Sequence, residues 1–140
     1  MPITDFPFLC LRKNDVERPW LPVRITNPHT RKHIDTYGLI DTGADDCTMP
    51  AFLTEQLGHK LENGTAKPVH TAGGLTTAYS HTTTIEIFDI KQNKVIYSIP
   101  DKSIDFSEGL NIVLLGVRSF LDNFTLKINY PKRCFSIKNS

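Results

Sequence analysis

Leu39-Ile40-Asp41-Thr42-Gly43-Ala44-Asp45-Asp46 occurs once in the chain, and it decides the reading of the rest. Two apolar residues run into an acid, a small hydroxyl residue and a glycine. That order suits a buried strand that delivers a carboxylate into a tight turn. Glycine after the acid allows an unusual backbone and close approach of a neighbour, and threonine can hold the turn through its hydroxyl. Peptide hydrolysis by carboxyl groups needs one ionised acid to take a proton from water and one protonated acid to polarise the scissile carbonyl. Two such acids held close share a proton and titrate as a unit. The 140 residues hold no second Asp-Thr-Gly. The partner acid must come from another copy of the chain, or the loop does something else.

Around this loop the pattern is mostly β. Trp20 to Ile25 has strand composition, Asn27-Pro28-His29-Thr30 is a turn, and His33 to Ile40 returns as a second strand. Met49 to Gly58 carries apolar residues at helical spacing (Phe52, Leu53, Leu57), with Gly58 as a stop, and predicts one or two helical turns. Lys67 to Thr71 leads to the glycine-rich tip Ala72-Gly73-Gly74-Leu75. Thr76 to Ile90 alternates with period two, Lys91 to Lys94 turns, and Val95 to Ile99 returns. Pro100 to Gly109 reads as polar loop, Leu110 to Gly116 as a buried strand, and Val117 to Asn123 as a short helix. Phe124 to Ile128 and Cys134 to Ile137 form a closing hairpin. A faint internal echo joins Leu39-Ile40-Asp41-Thr42-Gly43 to Ile112-Val113-Leu114-Leu115-Gly116, each an apolar run entering a glycine-containing turn and then a helical piece.

The composition narrows the function. The length suits one domain, taken as residues 1–140 with a core over about 20–137. A net charge of +1, from 16 basic and 15 acidic residues, argues against a nucleic-acid surface. Arg31-Lys32-His33 and Lys132-Arg133 sit at turn signals and read as solvated hairpin tips. Cys10, Cys47 and Cys134 fit neither a disulfide framework nor a zinc pattern, so a reducing, cytoplasmic setting is expected. No signal peptide or membrane span is visible. Asp41, Asp45 and Asp46 lack the alternation of a calcium loop. The histidines at 29, 33, 59, 70 and 81 are scattered and expected in exposed loops. No Gly-x-Ser-x-Gly elbow is present. Cys47 reads as a small buried hydrophobe.

Three features in order carry a resemblance: the Asp-Thr-Gly-Ala-Asp loop after two apolar residues, the Ala72-Gly73-Gly74-Leu75 hairpin tip, and Val113-Leu114-Leu115-Gly116-Val117-Arg118. Together the sequence resembles the retropepsins, the single-domain aspartic proteases of retroviruses, from about Trp20 to Ile137. The resemblance implies an all-β, partly open barrel with one or two short helices, active as a symmetric homodimer. It implies that Asp41 is catalytic and that Thr42, Gly43 and Ala44 support the active-site loop. Gly43, Asp45, Asp46, Ala72, Gly73, Gly74 and Leu75 would contact an extended peptide substrate, the last four as a flap. Asp45 would pair with Arg118, tying loop to helix. No cofactor, metal, nucleic acid or membrane partner is implied. Ala44 stands where bilobal pepsins have serine, which removes a donor to the dyad and implies activity at mildly acidic pH. The flap is shorter and richer in threonine than the family's. The Cys134–Ile137 segment looks more like the extra strand of cellular retropepsin-like domains, such as those of DNA-damage-inducible proteins and bacterial homologues, so the dimer contacts are expected to differ from the viral ones. Two other readings stay open: a non-catalytic peptide- or protein-binding module on the same fold, and a processing protease excised from a longer polyprotein.

Overall fold

Period-two alternation and β-branched residues carry most of the chain into sheets. The computed structural model describes residues 2–71 and 73–139. In order, the strands are β1 (Pro2–Pro7), β2 (Trp20–Thr26), β3 (His33–Ile40), β4 (Thr48–Pro50), β5 (Thr65–Thr71), β6 (Gly74–Asp89), β7 (Lys94–Ser107), β8 (Val113–Leu115), β9 (Phe124–Asn129) and β10 (Cys134–Asn139). One short helix, α1 (Leu53–Leu57), follows β4, and Gly58 ends it in the left-handed region at φ 77°.

The strands β2-β3-β8-β4-β7-β6 are hydrogen-bonded in that order, and a further β2–β6 pairing joins the ends. Those six strands therefore close into a barrel, with β5 added outside β6. Closure removes the sheet edges that would otherwise be open. A smaller sheet, β1-β10-β9, packs on the barrel through Phe135 and Ile137, both essentially fully buried. The core joins the two sheets: Leu21, Val23, Ile25, Ile85, Ile87, Ile104, Phe106, Leu115 and Phe120 are all buried within it. No helix among the described residues is long and apolar enough to cross a membrane.

Four expectations change. The strand at Pro2–Pro7 lies ahead of the expected core and pairs antiparallel with β10. It is an edge strand with its prolines at the ends, where a missing donor interrupts no ladder, and a bulge at Asp5 (φ 50°) hides the alternation. Pro100 to Ser107 is not loop; β7 runs on through it. Its first half is exposed and polar, with Asp101 at φ 54°, and only Ile104 to Ser107 turn fully inward. Val117 to Asn123 is not a regular helix. Ser119 adopts φ 73°, Leu121 and Asp122 donate five residues back to Gly116 and Val117, and only Leu121–Asn123 forms a 3-10 turn. Phe52 lies outside the buried face of α1 and is 61% exposed.

The histidines also depart from expectation, because His59 and His81 stack at 4.5 Å between ring centroids and both contact Phe106. His81 Nε2 lies 2.9 Å from the Leu61 carbonyl, and His59 lies within hydrogen-bonding reach of Asn27 and Thr83. Burial, then the neighbouring His81 and His29, push the His59 imidazole down to about 4. The unfolded chain, with its imidazole near 6.5, therefore binds a proton first as pH falls. The stability that a neutral His59 contributes is complete above that value and is lost progressively toward pH 4. Thermal unfolding should show Tm falling between about pH 6.5 and 4.5, with a smaller fall in a His59→Gln chain. An equal fall in both would remove His59 as the cause.

Candidate active site

The loop at Asp41 is built on two neighbouring parallel strands. Gly38, Leu39 and Ile40 of β3 pair with Val113, Leu114 and Leu115 of β8, so the two echoed segments lie side by side. The pairing runs one step past the strand: Asp41 N–H donates to the Leu115 carbonyl at 3.1 Å. Ala44 N–H donates back to the Asp41 carbonyl at 3.2 Å and closes the turn. Gly43 N–H donates to Asp41 Oδ1 at 3.0 Å, which orients the carboxylate. Gly43 itself does not use a left-handed backbone. A Cβ there would stand 3.4 Å from Asp41 Oδ1, in ordinary contact with the carboxylate.

Gly116 has a stricter role. A Cβ at Gly116 would fall 2.3 Å from the Asp46 carbonyl oxygen and 2.7 Å from that of Ala44. Only glycine lets the chain after β8 pass directly beneath the loop. The next residues then bind the loop, with Val117 N–H donating to the Ala44 carbonyl at 2.9 Å and Arg118 N–H to the Asp45 carbonyl at 2.8 Å. Cys47, which follows the loop, is buried and its thiol is pushed up to about 12, chiefly by that burial. It donates weakly to the Arg118 carbonyl and acts as a packing residue.

Thr42 is exposed, and its hydroxyl makes no hydrogen bond among the described residues. Gly73, Gly74 and Leu75 sit at the tip of the β5–β6 hairpin, with Gly74 at φ 112° and Leu75 66% exposed. Ala72 lies outside the described residues. Two surface cavities, of about 250 Å³ beside Trp20, Tyr37 and Phe52 and about 320 Å³ beside Ala51 and Leu61, include no residue of the 41–46 loop. Among the described residues no group of three or more His, Cys, Asp or Glu is placed to hold a metal ion.

The aspartyl protease family model matches residues 22–118, which takes in the loop, the hairpin and Gly116 to Arg118. The chain belongs to the aspartyl protease family. Its fold is the retropepsin-like one. It is similar to a retropepsin-like aspartic protease from Rickettsia conorii at 18% identity, with a TM-score of 0.65, over 99% of this chain and 98% of that one. It is also similar to the EIAV protease, solved with the inhibitor HBY-793, at 20% identity and a TM-score of 0.52, over 80% of this chain and 93% of that one. No curated protein sequence matches the chain.

In this aspartyl protease the arginine after the loop-bracing glycine has a different partner from the one expected. Arg118 pairs with Asp46, not Asp45. Its Nε and Nη2 donate to the two carboxylate oxygens at 2.7 and 2.9 Å, a bidentate geometry. Asp46 and Arg118 face each other as an isolated parallel bridge, which aims the two side chains at one another. Asp45 is exposed and gives Arg118 only its backbone carbonyl. Arg118 first, then Lys67, hold the Asp46 carboxyl below the usual carboxylate range.

Two further residues of this neighbourhood were not legible in the sequence. Lys67 Nζ lies 2.7 Å from Asp105 Oδ2 and 3.4 Å from Asp46 Oδ2. Lys67 is one cation in a polar strand, and Asp105 alternates with Ile104 and Phe106 as any outward residue would.

The corrected pairing is directly testable. Asp46→Ala should destabilise the fold by about 1 kcal/mol, because the guanidinium of Arg118 is well exposed and its pair is partly screened. Asp45→Ala should lie within about 0.5 kcal/mol of wild type. Chemical denaturation of both variants at neutral pH decides the assignment, and the reverse order would restore Asp45 as the partner.

Proposed function

We propose that the protein is an aspartic endopeptidase that works as a symmetric homodimer, with Asp41 of each subunit facing a shared water across the two-fold axis. The observation that carries this reading is the oriented but solitary carboxylate. Asp41 Oδ1 is fixed by Gly43 N–H, the loop is braced from beneath, and the motif occurs once. An isologous dimer places the same loop on both sides of its axis. The exposed Thr42 hydroxyl supports the reading, since a facing loop can accept its hydrogen bond.

In this mechanism one ionised Asp41 takes a proton from the water as its oxygen attacks the amide carbonyl carbon. The other Asp41, protonated, donates a hydrogen bond to the carbonyl oxygen. The tetrahedral adduct collapses when the nitrogen is protonated and the C–N bond breaks, and the two carboxyls again share one proton. An extended peptide pairs its main chain with Gly43 and the hairpin tip at Ala72 to Leu75, as a strand added to an edge. Asp45, exposed beside the dyad, is assigned to substrate. Asp46, partly exposed and held by Arg118 and Lys67, is assigned to substrate as well. The hairpin closes over the substrate and excludes water. Three unpaired cysteines support a cytoplasmic setting.

The alternative, a binding module that keeps the fold without cleaving, is separated by one comparison. Wild type and Asp41→Asn are incubated with a mixed peptide library between about pH 4 and 7, and products are read by mass spectrometry. Wild type should cleave best in mild acid, and the near-isosteric Asn variant should stay folded and lose about 10³-fold or more. Equal cleavage by both removes Asp41 from the mechanism. No cleavage by either, from a folded dimer, favours the binder.

A further inference from the structure

The β5–β6 hairpin leaves the barrel at a defined point. From Ser80 to Ala78 β6 is paired on both sides, and the partners of Ala78 are Ser107 on β7 and Lys67 on β5. Beyond that pair the strand partners of β6 among the described residues lie on β5, through Pro68↔Thr77, Val69↔Thr76, His70↔Leu75 and Thr71↔Gly74. Lys67 therefore stands at the root from which the hairpin projects.

From that root the Lys67 side chain reaches two acids on different elements. Asp105 lies on β7 beside the strand that leaves the catalytic loop, being paired with Thr48, and its side chain is only 5% exposed. It accepts from Lys67 Nζ at 2.7 Å through Oδ2 and from Ser80 Oγ at 2.7 Å through Oδ1. A buried carboxylate without such partners is strongly destabilising, so the ammonium is held where it is by the cost of leaving Asp105 alone. The second acid, Asp46, is 3.4 Å away on the catalytic loop and is itself clamped by Arg118. Root, barrel and loop are thus joined through one ammonium group. Lys67 is raised from its ordinary range first by Asp105 and keeps its charge across the pH range in which the enzyme would work.

The geometry points to Lys67 as a positioning residue that, through Asp105 and Asp46, anchors the root of the hairpin to the catalytic loop and so sets how the flap rests above Asp41. This inference rests on the proteolytic reading for its consequence in catalysis, and on the hydrogen-bonded geometry alone for its consequence in motion. Lys67 touches no reacting atom in this account. Its loss should loosen the flap while leaving Asp41 and its bracing intact.

Amide hydrogen exchange and steady-state kinetics on the full chain test this together. Lys67→Met leaves Asp105 buried without its cation, so the comparison includes Lys67→Met/Asp105→Asn, which removes both charges at near-constant shape, and Lys67→Arg, which keeps a cation. Exchange over residues 68–77 should rise about tenfold in the Met/Asn double variant, with β2 and β3 unchanged. KM should rise several-fold with kcat changed less, and Lys67→Arg should recover much of both effects. Unchanged flap exchange in the folded double variant, or exchange that rises equally in β2 and β3, overturns the anchor. If wild type cleaves no peptide, the proteolytic reading fails, and flap exchange still decides the anchor.

Discussion

The structure depends on the absence of one side chain. At Gly116 the chain passes so close beneath the Ala44 and Asp46 carbonyls that a single carbon would collide with both. That approach lets Asp41 extend the β3–β8 pairing, brings Val117 and Arg118 amides to the loop, and sets Arg118 opposite Asp46. The loop is thereby held at both ends and from below. In the proposed mechanism the Asp41 carboxylate faces a twin across an axis and has little tolerance for drift, because reacting groups need close positional control. Backbone hydrogen bonds from a closed barrel give that control more firmly than side chains on a loop could.

Charge is arranged in two shells around this frame. The inner group, Asp41, sees mainly a backbone donor from Gly43. The outer group links Arg118, Asp46, Lys67, Asp105 and Ser80 into a chain running from beneath the loop to the root of the hairpin. As pH falls below about 6.5 the unfolded chain takes up a proton at His59 before the folded chain does, so mild acid weakens the fold at the stacked histidines. The proposed mechanism needs one proton on a carboxyl pair, so under that proposal acid serves catalysis while it weakens the fold.

The sequence was most legible where function is densest. Leu39 to Gly43 and Val113 to Gly116 announced two apolar strands entering glycine-containing turns, and these lie in parallel register as neighbours. The hairpin of β5 and β6 was legible because glycine at its tip interrupts an alternating threonine-rich run. Less visible were features decided by tertiary contact. Asp45 and Asp46 are adjacent acids that differ only in which one faces Arg118, and the bridge that chooses between them is non-local. β1 was hidden by its prolines and its bulge, and the far half of β7 by polar residues on a strand exposed over that stretch. The helix expected after Gly116 was undone by Ser119, whose left-handed backbone no propensity scale anticipates. The stacked histidines come from separate segments, and nothing in their spacing brings them together.

The central claim is that one chain carries half a site and that the other half is a second copy. Molecular mass by sedimentation and peptidase activity, followed on the same samples through a dilution series, address it most directly. The account predicts that activity per chain falls in step with the dimer fraction and vanishes where only monomers sediment. Activity per chain that stays constant into the purely monomeric range would contradict it.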